Sequence, residues 1–187
     1  LDRNNSKKIK IKKINSFTVT EKNISREFKS SRFNYLFSKD SLNIIYAGNF
    51  GRFQGLEHVI KGFSLLKDKT EIRLILLGDG EEKEKLKKLS NDLKANVFFI
   101  DHVSQEESKT IIQKADLGLV SLIPNIYKYA YPSKLMSYLE KGLPILGLIE
   151  KNSDLAKDIE ENKIGFVIPL YDHINLRDLL INLQNNL

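Results

Sequence analysis

The chain has 187 residues, a formal net charge of +6 and no cysteine, and 41% of its residues are hydrophobic. These values are typical of a single soluble domain, and they exclude disulfides and thiolate metal sites. No apolar run approaches the ~20 residues of a membrane-spanning helix, and the first residues lack a signal-peptide pattern. Because His58, His102 and His173 lie far apart without metal-ligand spacing, the sequence predicts no metal site.

Residues 1–41 differ from the rest of the chain because they lack its alternation of strands and helices. Lysines cluster in SKKIKIKKIN, residues 6–15, where Ile9 and Ile11 alternate with them. This pattern predicts an edge strand with a solvated lysine face, and the alternative is a basic arm for nucleic acid or an anionic membrane. We predict no nucleic-acid partner, and we assign residues 1–41 to a leading segment or linker and 42–187 to one domain.

From Leu42 onward, short apolar runs alternate with segments of helical periodicity. The predicted strands are 42–48, 72–80, 97–100, 117–122, 144–149 and 166–169, and the predicted helices are 56–66, 81–93, 104–115, a run from Ser133, 153–162 and a last helix from about Asn175. Apolar strands that alternate with helices predict a parallel sheet covered on both faces. Since crossovers of this length are right-handed, the expected fold is α/β, a Rossmann-like doubly wound parallel sheet.

Glycines follow the first two predicted strands, in GNFGRFQG (48–55) and LGDG (77–80). Ligands of such sheets bind outside the carboxyl ends of the strands, where glycine lets the backbone approach an anion closely. Arg52 stands among the first glycines and indicates an anionic ligand, whereas LGDG fits an ordinary turn equally well. The spacing of GNFGRFQG is wrong for a dinucleotide fingerprint, and a Walker loop is missing from the sequence.

The stretch YAYPSKLMSYLEKGLPIL, residues 129–146, contains a second candidate anion site. Ser133 is predicted to cap the following helix and to leave its first N–H groups at the loop mouth. Lys134 then adds a positive charge at a helix start, where the helix dipole favours acids. This misplaced cation predicts an anionic ligand, and the alternative is an ordinary surface lysine.

Six motifs in this order resemble the C-terminal, donor-binding domain of GT-B glycosyltransferases of family 4. They are YAGNFGRFQGLE, LGDGEEKEKL, FIDHVSQEE, ADLGLVSL, PSKLMSYLEKGLPIL and NKIGFVIP. Within this family the chain is most similar to bacterial polysaccharide enzymes that transfer N-acetylated aminosugars such as N-acetylfucosamine. The resemblance covers roughly residues 42–187, and KINSFTVTEKNISREF resembles the segment that enters this domain from the N-terminal half.

The resemblance implies a retaining transfer from a nucleotide-diphosphate sugar, usually UDP-linked, without a metal or a cofactor. The residues that it implies are Asn49, Gly51, Arg52, Ser133 and Lys134 for the diphosphate, Asp101, His102 and Val103 beside the base, and Tyr129, Ala130 and Tyr131 beside the sugar. The paired glutamates of the family would fall at Tyr129 and Ser137, and Glu140 is expected to face away from the loop. The catalytic groups therefore stay unassigned.

The resemblance also implies partners and a location. The expected partners are the nucleotide sugar and a separate N-terminal acceptor-binding domain, without which this chain should bind donor and not transfer sugar. The expected location is the cytoplasm, with peripheral association of the full-length enzyme at the inner face of the membrane as one alternative. Two other readings stay open: another GT-B sugar-nucleotide enzyme such as an epimerase, and a non-catalytic flavodoxin-like binding domain.

Overall fold

The computed structural model describes residues 33–37, 40–66, 68–126 and 132–186, and it confirms the predicted alternation of strands and helices. The strands are β1 Leu42–Ala47, β2 Ile72–Leu77, β3 Val97–Ile100, β4 Leu117–Ser121, β5 Ile145–Leu148 and β6 Gly165–Ile168. The helices are α1 Leu56–Ser64, α2 Lys83–Leu93, α3 Gln105–Ile112, α4 Lys134–Glu140, α5 Asp154–Glu161 and α6 His173–Gln184, and short 3-10 turns cover Asn34–Leu36 and Arg52–Gln54.

The six described strands form one all-parallel sheet in the order β3-β2-β1-β4-β5-β6. The chain runs outward from β1 to β3 and then returns to place β4 on the other side of β1. Successive residues of the central strand, such as Ile44 and Ile45, are both fully buried because helices cover both faces. This double burial explains why the strands read as continuous apolar runs, and the predicted doubly wound fold is confirmed.

Of the described α-helices, three pack on each face of the sheet. Helices α1, α2 and α6 share one core cluster, in which Phe63 and Leu176 are buried against the sheet. Helices α3, α4 and α5 share the other, which contains Ile111, Tyr138 and Ile159. The two-sided covering leaves the loops at the carboxyl ends of the strands as the place where a ligand can reach the sheet.

The start of α6 and the position of two histidines differ from the sequence prediction. The helix begins two residues before Asn175, because the side chain of Asp172 accepts a hydrogen bond from the Asn175 N–H and caps it.

The fold also stacks the rings of His58 and His173 with 6.0 Å between centroids. Burial lowers the pKa of both imidazoles, and the described part of the chain contains no group of three residues that could hold a metal ion.

The leading segment falls almost wholly outside the described residues. The predicted edge strand at 6–15 and the segment 13–28 lie there and stay predictions, as does the domain boundary at residue 42. Of the part that is described, Leu36 is buried and its carbonyl accepts a hydrogen bond of 3.1 Å from Arg73 Nη1. This turn is therefore packed on the domain. None of the described helices is both long enough and apolar enough to span a membrane.

Candidate functional site

A cleft of about 570 Å³ opens at the carboxyl ends of the strands, between α3 and α4. We call it the α3–α4 cleft. It lies where β1 has a neighbour on each side, β2 and β4, which is the point at which the strand order reverses. Open α/β sheets bind their ligands at such switch points. The lining comes from the carboxyl ends of β1 and β2 and the loops that follow them, from the loop after β3, and from α3 and α4.

Main-chain contacts between two glycine loops form one side of this cleft. The Gly48 N–H donates to the Leu77 carbonyl at 2.9 Å, and the Phe50 N–H donates to the Asp79 carbonyl at 2.8 Å. Gly78 has φ +144°, and a Cβ atom there would lie 2.0 Å from the Gly48 carbonyl oxygen. The glycines of LGDG therefore allow the two loops to pack closely against each other. This main-chain contact is enough to explain the glycines without a ligand.

Lys134 lies half-buried in the α3–α4 cleft without a carboxylate partner among the described residues. Its Nζ lies 4.7 Å from the centroid of the Tyr46 ring, a cation–π distance. Gly48 leaves room for it, since a Cβ there would lie 3.2 Å from Lys134 Cε. Burial lowers the pKa of Lys134 to about 8. The lysine at this helix start is therefore an uncompensated cation inside a cleft, and the surface-lysine alternative does not hold.

The prediction that Ser133 caps α4 is wrong. Ser133 occupies the N-cap position, but its φ of −59° and ψ of −28° are helical, and its side chain makes no capping hydrogen bond. A capping serine needs extended backbone to reach the N–H groups ahead of it. The Leu135 and Met136 N–H groups donate to the Pro132 and Ser133 carbonyls, so two first-turn amides are used within the turn. What the cleft gains from Ser133 is an exposed hydroxyl.

Arg52 does not meet Lys134 in this structure. Its side chain is 74% exposed, and its Nε lies 3.4 Å from Glu81 Oε1 and 3.5 Å from Glu82 Oε1. Together with Gly51 it borders a separate hollow of about 430 Å³, which we call the Arg52 hollow. Of the predicted diphosphate residues, the structure therefore brings three together in the α3–α4 cleft, and they are Asn49, Ser133 and Lys134.

The three residues predicted to lie beside the base, Asp101, His102 and Val103, do not all line the cleft either. His102 and Val103 line the α3–α4 cleft, whereas Asp101 turns to Lys83, whose Nζ lies 2.8 Å from its Oδ1. The same ammonium lies 3.4 Å from Asp79 Oδ2, so a buried lysine joins the loops after β2 and β3. The ammonium holds the pKa of the Asp101 carboxyl below its usual range. Lys83 thus fixes the loop that carries His102 and Val103.

The sequence analysis missed several residues that line the cleft. Gln105 and Ser108 come from α3, and Ser137, at the position of the family's second glutamate, comes from α4. For Ser137 the available signal was its spacing of four and three residues from Ser133 and Lys134 on α4. Gln105 and Ser108 had no such signal, because the positions selected near them lie in the loop before α3. Tyr129, Ala130 and Tyr131 lie outside the described residues. Glu140 does not line the cleft and lies 3.2 Å from Lys141 Nζ, as expected for a residue that faces away.

The comparisons with known proteins agree with this fold. The family model for glycosyl transferases group 1 matches residues 27–186. A protein named probable glycosyltransferase WbjE, from Pseudomonas aeruginosa, is 27% identical over 136 residues, which cover 72% of this chain and 34% of that protein. This chain therefore spans about a third of the length of that relative.

Two solved structures share the fold at low sequence identity. A mutant of S. aureus TarM in complex with fondaparinux, alpha-GlcNAc-glycerol and UDP has a TM-score of 0.65 at 16% identity, over 79% of this chain and 29% of that one. A structure described as trehalose-6-phosphate from E. coli bound with UDP-2-fluoro glucose has a TM-score of 0.62 at 12% identity, over 77% of this chain and 36% of that one. The chain belongs to the glycosyl transferases group 1 family, and its fold is that of a GT-B-type domain.

Proposed function

We propose that residues 42–187 are the donor-binding domain of a retaining glycosyltransferase whose donor is a UDP-linked sugar. The donor sugar proposed is an N-acetylated aminosugar of the N-acetylfucosamine type, and the process proposed is the synthesis of bacterial surface polysaccharide. The observation that supports the proposal is Lys134, a half-buried ammonium without a counter-ion among the described residues, at the switch point of the sheet. Family membership supports glycosyl transfer as the reaction class.

The chemistry of Lys134 favours a ligand with more than one negative charge. Burial penalises its charged form, and the aromatic ring of Tyr46 offsets part of that penalty. A diphosphate supplies several anionic oxygens that can accept charge-assisted hydrogen bonds from the ammonium. In the proposed reaction Lys134 stabilises the negative charge that grows on the leaving diphosphate when the bond to the sugar breaks. The proposal assigns this role to side chains, without a metal or a cofactor.

The remaining site residues take proposed positions around this contact. Asn49 and Ser133 would donate to the phosphates from the two sides of Lys134, and His102 and Val103 would border the base. Arg52 would approach the outer phosphate after leaving Glu81 and Glu82. Gly51, Tyr129, Ala130, Tyr131 and the backbone at Asp101 keep the roles that the family resemblance implies. UDP in the TarM complex and UDP-2-fluoro glucose in the E. coli structure support uracil as the base of the donor proposed for this chain.

The acceptor side of the reaction is proposed to come from an N-terminal domain. GT-B enzymes react in the cleft between two domains, and this chain spans 34% of the length of WbjE. We propose that the full-length enzyme works in the cytoplasm, with a peripheral association at the inner face of the membrane. The chain alone would then bind donor and transfer no sugar.

A thermal-shift experiment with UDP, GDP, ADP and inorganic pyrophosphate tests the proposal. We expect UDP to raise the melting temperature most, because the proposed donor is UDP-linked and the site should bind UDP most tightly. A ligand at a hundred times its dissociation constant stabilises a protein by about 2.7 kcal/mol. Equal shifts with all three nucleotides would reduce the site to a general anion site. An unchanged melting temperature at millimolar UDP would overturn the proposed function.

A further inference from the structure

One face of α3 points into the α3–α4 cleft. Gln105, Ser108 and Ile112 are spaced by three and four residues, so they lie on the same side of the helix, and all three line the cleft. The intervening residues Glu106 and Lys109 do not line it. Gln105 is exposed at the rim of the cleft, whereas Ser108 is half-buried. This face presents an amide and a hydroxyl at the start of the helix and an aliphatic side chain one turn further in.

The polar groups on this face have unused hydrogen-bonding capacity. Among the described residues, neither the Gln105 amide nor the Ser108 hydroxyl makes a hydrogen bond within the protein, whereas the nearby Ser104 hydroxyl is used in a capping box with Glu107. A glutamine amide offers a donor and an acceptor side by side, and a serine hydroxyl can do either. These two side chains can therefore pair with the edge of a ligand that carries both kinds of group.

The surface below these polar groups is apolar. Leu77, Val103 and Ile112 line the cleft although each is at most 9% exposed, so they form a narrow floor. Lys134 supplies the positive charge of the same cleft from the opposite helix, α4. An apolar floor with neutral hydrogen-bonding groups at its rim suits a flat heterocycle better than a phosphate or a freely hydrated sugar.

We propose that Gln105 and Ser108 recognise the nucleobase of the donor, which lies on Val103 and Ile112. This inference rests on the proposed function, because it places a nucleotide in the cleft with its phosphates at Lys134. The Gln105 amide pairs with an adjacent N–H and C=O on the base edge, as uracil presents them, and Ser108 supplies a further hydrogen bond. Gln105 and Ser108 are thus specificity-determining residues for the base.

Calorimetric titration of the whole chain with UDP and with inorganic pyrophosphate separates base recognition from phosphate recognition. Gln105→Leu should weaken UDP binding by about tenfold and Ser108→Ala by about threefold, since each removes hydrogen bonds to the ligand. Pyrophosphate affinity should change by less than about twofold in both variants, because no phosphate contact is lost. Gln113→Leu makes the same chemical change at the exposed end of α3, outside the cleft lining, and should leave both affinities unchanged.

The other outcomes separate this inference from the proposed function. If Gln105→Leu weakens UDP and pyrophosphate by the same factor, or leaves UDP affinity unchanged, base recognition by α3 is wrong while donor binding stands. If the unaltered chain binds UDP no more tightly than pyrophosphate, the base contributes nothing and the inference is also wrong. If the unaltered chain binds neither ligand, the proposed function fails and the inference fails with it.

Discussion

The α3–α4 cleft and the Arg52 hollow each contain a basic residue that the sequence analysis placed on one ligand, and the two residues differ sharply. Lys134 is half-buried, has a pKa lowered to about 8 and has no carboxylate partner among the described residues. Arg52 is 74% exposed and lies within 3.5 Å of two glutamates. A cation that is already paired and hydrated gains little from an added anion, whereas a buried unpaired one gains much. The environment of a basic residue, more than its presence, indicates where an anion binds.

The largest effect that this comparison predicts is that of Lys134→Met. The substitution keeps most of the side-chain volume and removes the charge, so UDP affinity should fall by about tenfold or more. The free protein should become more stable by roughly 1 kcal/mol at pH 7, because a desolvated cation is lost. Calorimetry with UDP and urea unfolding of the free protein measure the two changes. Lys157→Met, an exposed lysine of α5, is the control and should alter neither quantity.

The second prediction concerns pH. Because the pKa of Lys134 is about 8 in the free protein and a bound diphosphate raises it, UDP binding takes up a proton above pH 8. Affinity should fall by about fivefold or more between pH 7.5 and pH 9, and Lys134→Met should abolish this decrease. Titrations in buffers of different ionisation enthalpy report the proton uptake. A flat affinity profile in the unaltered protein would argue against Lys134 as the phosphate ligand.

The lowered pKa of Lys134 also makes the free energy of unfolding depend on pH. Between pH 8 and the pKa of an unfolded lysine, the unfolded chain binds more protons than the folded chain. The contribution of Lys134 to the free energy of unfolding therefore rises with pH across this window, and the penalty of the buried charge is fully present below it. The difference between the unaltered protein and Lys134→Met should shrink accordingly as the pH rises.

The third prediction is a smaller effect for Arg52→Ala. A diphosphate must draw Arg52 away from Glu81 and Glu82, which offsets part of the gain, so UDP affinity should fall by only about threefold. The double variant Glu81→Gln, Glu82→Gln should bind UDP more tightly than the unaltered chain because it frees the guanidinium. Arg177→Ala is the control, because Arg177 lies in α6, outside both regions, and is paired with its neighbour Asp178. Equal losses for Arg52→Ala and Lys134→Met would mean that the two regions act as one site.

The smallest predicted effect is on folding and compares two serines at helix starts. Ser153 is fully buried, and its Oγ accepts a hydrogen bond of 3.1 Å from the Ala156 N–H, so Ser153→Ala should cost about 1–2 kcal/mol. Ser133 makes no such bond, and Ser133→Ala should change the free energy of unfolding by less than about 0.5 kcal/mol. Urea unfolding of both variants measures the difference. A loss of 1 kcal/mol or more in Ser133→Ala would restore the capping role.

The fold could be predicted from the sequence because burial imposes a regular pattern on it. Each strand is apolar on both sides and each helix keeps an apolar stripe, so the order of elements was readable before the sheet was known. The site was readable only in part. Glycines and Lys134 mark the candidate site, but whether Arg52 faces a glutamate or a cleft depends on Glu81 and Glu82, which lie in another loop, between β2 and α2. The prediction of a cap at Ser133 failed for a similar reason, because the residue type allows a cap and only the backbone angles decide whether it forms.

The contact between Gly48 and Gly78 has a consequence for how such a domain can change its specificity. Any side chain at Gly78 would meet the Gly48 carbonyl at 2.0 Å, so the part of the cleft wall that these two glycines form is main chain and cannot be altered by ordinary substitution. The opposite side is made of side chains such as those of Gln105, Ser108 and Ser137, which make no hydrogen bond within the described part of the chain that would hold the fold together. New ligand preferences can therefore arise by single-residue changes on the two helices, while the contact between the two glycines keeps its part of the cleft wall constant.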